Sequence, residues 1–131
     1  MPNFGQRSRT NLESCHEDLQ RLFNEVIKHF DCSVICGYRG QEEQDKAFHN
    51  GQSKLKFPES MHNQMPSLAA DVVPYPIDWS DHERFYMFVG AVRGIAAVMN
   101  IPIRCGADWD GDMEIKDQNF HDLPHFELIQ I

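Results

Sequence analysis

A carboxylate interrupts an apolar run. Leu68-Ala69-Ala70-Asp71-Val72-Val73 is closed by Pro74, and residues 69–73 read as a short strand. An acid inside such a run is partly desolvated, which is costly unless the group is paired or holds a metal. The fold is therefore constrained to bring a cation or a set of donors to Asp71. His125 is placed just as oddly, at the head of an apolar segment whose alternate residues Glu127 and Ile129 share its face. His62 lies nine positions before Asp71. Two histidines and an aspartate suit a catalytic zinc with a fourth position open to water. Taken singly, each histidine reads more simply as a satisfied surface or core residue. Asp122 stands three residues before His125, near enough to act as general base toward a water at such a metal.

The surrounding pattern predicts one domain over residues 1–131, long enough to bury a core without staples. Leu12, Cys15, Leu19, Leu22, Phe23, Val26, Ile27 and Phe30 follow helical spacing, predicting one amphipathic helix over 11–30 with a Thr10/Glu13 capping box. Residues 32–37 read as a buried strand, and 41–50 as a helix stopped at Asn50-Gly51. Residues 52–68 read as irregular. A second long helix is expected over 80–99, capped by Ser80 and Glu83, then strands over 101–106 and 125–131. Helices and strands mix without a βαβ repeat. That argues for an α+β fold, a small, largely antiparallel sheet covered by helices.

Charge narrows the partners. The formal net charge is −8, unsuited to general binding of nucleic acid or anionic membranes. The excess is local, because residues 61–131 carry eleven acidic and four basic side chains. No stretch approaches the ~18 apolar residues of a membrane span, so no membrane insertion is expected. Met1–Arg7 lacks the apolar core of a secretory signal, so synthesis and retention in a cytosol are expected. Cys15, Cys32, Cys36 and Cys105 have no CxxC spacing and read as free core thiols, with Cys32, Val34 and Cys36 on one strand face.

Three segments, GYRGQEEQ from Gly37, SMHNQMPSLAADVVPYP from Ser60 and DLPHFEL from Asp122, together resemble the zinc peptidase family of VanY-like D-Ala-D-Ala carboxypeptidases and phage L-alanyl-D-glutamate endolysins. They occur in the family's order, from about Gly37 to Leu128. The resemblance implies a hedgehog/DD-peptidase-like fold with His62, Asp71 and His125 as Zn²⁺ ligands and Asp122 as general base. It makes Arg39 the arginine that holds substrate and stabilises the oxyanion. Ser60 matches the small residue two places before the first ligand. The nine-position spacing from His62 to Asp71 is longer than a common form of the motif, and the base is Asp where Glu is common. Both departures match phage members.

The implied substrate is the peptide stem of bacterial peptidoglycan, cut between L-Ala and D-Glu. Removal of a terminal D-Ala and a non-catalytic, zinc-bearing wall-binding module are the alternatives. A monomer is expected, made in the host cytoplasm and reaching the wall through a pore. Asp108, Asp110 and Asp112 resemble the start of a calcium loop, but Met113 and Asn119 at its sixth and twelfth positions exclude an EF-hand. The loop reads instead as solvated and beside the active site, with Trp109 lining the cleft and His121 supporting Asp122. His16, His29, His49 and His82 read as surface residues.

Overall fold

A computed structural model describes residues 2–109, 111 and 122–129. Helices α1 (Gln6–Glu13) and α2 (Glu17–Val26) lead into β1 (Cys32–Cys36) and α3 (Gln41–His49). A 3-10 turn at Met61–Asn63 precedes β2 (Ala69–Pro74), and α4 (His82–Val98), β3 (Ile103–Cys105) and β4 (His125–Leu128) follow. The described strands form one antiparallel sheet in the order β1-β2-β4-β3. The expected α+β architecture is the one observed.

The single helix expected over 11–30 is two. Chain pairing breaks it: Ser67 donates its N–H to Ser14 O at 2.9 Å and accepts from His16 N–H at 2.8 Å. His16 then caps α2, its Nδ1 accepting from Asp18 N–H. The apolar spacing runs through the break because Leu12, Cys15 and Leu19 all still face the core. Thr10 lies inside α1 rather than capping it, its hydroxyl bonded to Gln6 O. At α4 the cap is Asp81 instead of Ser80, accepting from Arg84 N–H, while Ser80 is held by Asp78. The helix over 41–50 ends as expected, with Asn50 as its cap and Gly51 at φ +77°.

The sheet separates two chemistries by alternation. Ala70, Val72, Phe126 and Leu128 join the core beneath α2 and α4, where Phe126 meets Phe23 and Phe88 edge-on at 5.4 and 6.0 Å. The other face carries the polar residues. Asp71 lies directly opposite His125, and Glu127 opposite Arg104. Cys36 was expected to share the buried face of Cys32 and Val34. A register shift between Val34 and Cys36 instead pairs it with Asp71, turning the thiol to the polar face. Cys36, Asp71 and His125 thus form one row across three strands.

Candidate active site

Each predicted ligand is placed by a different local device. Asp71 and His125 are fixed by strand register. His62 rides on the 3-10 turn, whose cap is Ser60: its hydroxyl accepts from His62 N–H at 3.2 Å, and Asn63 Oδ1 accepts from Ser60 N–H at 3.0 Å. Ser60 therefore orients the turn as well as lining the cavity above it.

The three functional atoms converge. His62 Nε2 is 3.2 Å from Asp71 Oδ1 and 3.3 Å from His125 Nδ1, and His125 Nδ1 is 3.4 Å from Asp71 Oδ1. Ligand atoms about 2.0–2.1 Å from a tetrahedral zinc stand about 3.3–3.4 Å apart, so this triangle has the dimensions of one face of such a site.

The outer nitrogens fix the tautomers. His62 Nδ1 is 2.8 Å from Gly37 O and can only donate to that carbonyl. His125 Nε2 is 2.7 Å from Glu127 Oε1. With both protons on the outside, His62 Nε2, His125 Nδ1 and Asp71 Oδ1 present three lone pairs to one another. A cation satisfies that arrangement, and the outward bonds to a carbonyl and a carboxylate are those that metal-ligating histidines use.

Left without a cation, the same atoms draw protons instead. Burial alone would lower the His62 pKa, but the Asp71 carboxylate outweighs it and pushes it up to about 10. Burial works to raise Asp71, yet the His62 and His125 imidazoles hold it well below the usual carboxylate range. The site thus attracts positive charge strongly.

Asp122 stands beside the triangle, with Oδ2 3.8 Å from His125 Nδ1. Burial, then the neighbouring Asp71 charge, raises its pKa to about 6. Gly106 permits this approach: its N–H donates to His125 O, its carbonyl accepts from Asp122 N–H, and a Cβ there would collide with the Asp122 carbonyl. Arg39 lies opposite, Nη2 3.4 Å from Asp71 Oδ2 and Nη1 3.0 Å from Gln44 Oε1. Trp109 tilts against the His125 ring at 5.1 Å, with the Arg104 guanidinium over its own ring at 5.5 Å.

Four further residues support the site. Glu127 holds His125 and is itself held by Arg104 Nη2 at 2.8 Å. Its position on the His125 face was the available signal. Gln44 is fully buried; its carbonyl accepts from Arg39 and Asn63, and its amide donates to Ser53 Oγ and Leu55 O. Asn63 also donates to Arg39 O at 2.9 Å. Cys36 places Sγ 3.8 Å from His62 Nδ1 and 3.7 Å from Arg39 Nη2. Cys36 with His62 and Asp71, and Asp122 with Asp71 and His125, are two further groupings able to hold a metal. The bulge in β1, invisible to simple alternation, is what brings Cys36 here.

Of the acidic loop, Asp108 is buried against Arg93, Nη1 2.7 Å from Oδ2. Asp110, Asp112, Met113, Asn119 and His121 lie outside the described residues. His16 and His29 have local partners on α2 or just beyond it, Asp18 and Glu25, and His49 and His82 are exposed.

The fold is similar to that of a known endopeptidase. The crystal structure of Serratia marcescens L-Ala D-Glu endopeptidase ChiX matches with a TM-score of 0.75 at 26% identity, covering 97% of this chain and 90% of that one. This chain belongs to the phage L-alanyl-D-glutamate peptidase family, whose sequence profile matches residues 2–129. The L-alanyl-D-glutamate peptidase of Escherichia phage T5 is 28% identical over 134 residues, spanning 96% of this chain and 97% of its own length.

Proposed function

We propose that this chain is a zinc-dependent peptidase that hydrolyses the L-Ala–D-Glu bond in the peptide stem of bacterial peptidoglycan. The observation that carries the reading is the lone-pair triangle of His62 Nε2, Asp71 Oδ1 and His125 Nδ1, closed from outside by Gly37 and Glu127. His62, Asp71 and His125 would hold the zinc. Bound there, zinc would supply a Lewis acid and would lower the pKa of a water it holds to about 7.

The chain's own groups do the rest. Asp122 accepts a proton from the attacking water and delivers it to the departing D-Glu nitrogen as the C–N bond breaks. Burial raises its pKa, which makes it a better proton acceptor than an exposed carboxylate. Arg39 presents its guanidinium to the developing oxyanion, with Gln44 and Asn63 keeping it in place before substrate arrives. Every group in this scheme comes from one chain, in keeping with a monomer.

No helix among the described residues is long and apolar enough to cross a membrane. The proposed route is synthesis in the host cytoplasm and passage to the wall through a separate pore. Mass spectrometry of digested muropeptides tests the bond. Release of peptides beginning with D-Glu, with L-Ala left on the sugar, supports the reading. Loss of terminal D-Ala alone would assign a carboxypeptidase, and wall binding without chelator-sensitive cleavage would assign a binding module.

A further inference from the structure

The catalytic groups stand at a junction of two cavities. Arg39, Gln52 and Asp122 line both. The first cavity is about 140 Å³ and is lined by His62, His125, Trp109, Lys54, Arg104 and Glu127 among others. The second is about 460 Å³ and is lined by Asp71, Ile35, Leu123, Pro124, Trp79 and His82 among others. Beyond Arg39, Asp71 and Asp122, no residue lining the second cavity has a catalytic role assigned above.

Its lining mixes polar and apolar side chains and includes one flat aromatic face, that of Trp79. Trp79 stacks on Phe85 with ring centroids 5.4 Å apart and planes 22° apart, which fixes the indole, yet 54% of the residue is exposed. Buried Phe85 roots it in α4. The segment that bears Trp79 is acidic, with Asp78, Asp81 and Glu83 exposed around it. Asp78 keeps its charge readily, because hydrogen bonds from the Ser80 side chain and backbone lower its pKa. The other arm is lined by two cationic side chains, Lys54 and the half-exposed Arg104, which is also bonded to Glu127 at 2.8 Å.

The substrate of the proposed reaction is polarised in the same sense. On the N-terminal side of the L-Ala–D-Glu bond lie L-Ala and the neutral lactyl ether of N-acetylmuramic acid. On the C-terminal side D-Glu continues through its side-chain carboxyl, leaving its α-carboxylate free, and further carboxylates follow. We infer that the Trp79–His82 arm is the subsite for the N-acetylmuramyl end of the stem, the sugar lying on the exposed indole face, while D-Glu and the residues after it run toward Lys54 and Arg104. The acidic rim around Trp79 disfavours the reverse orientation, and the larger cavity accommodates the bulkier sugar. Trp79 is then a specificity-determining contact that reads whether the peptide is attached to glycan.

The inference rests on the reading of the chain as an L-Ala–D-Glu peptidase, and paired substrates separate the two. Steady-state kinetics would compare N-acetylmuramyl-L-Ala-γ-D-Glu-diaminopimelate with the same tripeptide bearing only an N-acetyl group. The zinc-loaded wild-type enzyme should favour the muramyl substrate by about tenfold in kcat/KM, the size expected for one buried aromatic contact. Trp79→Ala should bring that ratio close to one, mainly through KM, and Trp79→Phe should restore much of it. A wild-type ratio near one, or a ratio unchanged in Trp79→Ala, overturns the subsite. The wild-type ratio tests it even where Trp79→Ala does not fold. Failure of the wild-type enzyme to cut either substrate at the L-Ala–D-Glu bond would instead refute the activity itself.

Discussion

Glu127→Gln isolates the group that holds His125. Glu127 is almost completely buried and uses both oxygens: Oε1 meets His125 Nε2 at 2.7 Å and Oε2 meets Arg104 Nη2 at 2.8 Å. An amide keeps the shape but has one oxygen for two donors. Arg104 is half exposed and can turn to water, so the remaining oxygen stays with His125. What is lost is the negative charge that strengthens the imidazole as a ligand. Changes of this kind cost about 10–100-fold in metal affinity, or about 1.4–2.7 kcal/mol. The glutamine variant belongs near the lower figure. Glu127→Ala, which leaves His125 without its orienting partner, belongs near the upper one. Competition with a chromophoric chelator would measure zinc affinity, and circular dichroism would confirm the fold. Wild-type zinc affinity in both variants would refute the tautomer argument, and with it the assignment of His125 Nδ1 as the inward-facing ligand atom.

Other perturbations separate metal binding from proton transfer. His125→Ala should lose bound zinc, whereas Asp122→Asn should retain zinc and lose turnover; metal analysis beside a peptide-cleavage assay distinguishes them. Gly106→Ala forces a methyl against the Asp122 carbonyl. A displacement of about 1 Å should lower kcat by about 100-fold with zinc content unchanged, as single-turnover kinetics on the metal-loaded variant would show. Gln44→Leu leaves donors on Arg39 and Asn63 without their shared acceptor. It should cost about 1–3 kcal/mol of stability, read as a lower midpoint in urea, and slow cleavage by freeing Arg39.

Much of the site was legible because its residues violate local expectation. Asp71 in an apolar run and His125 at the head of an apolar strand are costly unless they meet, and the sheet places them directly opposite each other. The strand and helix order followed from apolar spacing for a similar reason, since alternation and helical period report burial. Features that depend on distant contacts were not legible. The break between α1 and α2 is made by Ser67, more than 50 residues away in sequence. The turn of Cys36 toward His62 depends on a register shift in β1. Gln44 sits on a short polar helix and acquires its role only when Arg39, Asn63 and Leu55 close around it. The charge excess after residue 60 gains a location as well, because Asp71, Asp122 and Glu127 all gather at the proposed cation site.

Metal content of the purified chain, compared with that of His125→Ala, tests the central claim most directly. The account predicts one zinc per wild-type chain after dialysis against metal-free buffer containing no chelator, and none in the variant. A wild-type chain that takes up no zinc when the metal is supplied, yet still cuts the stem, would contradict it.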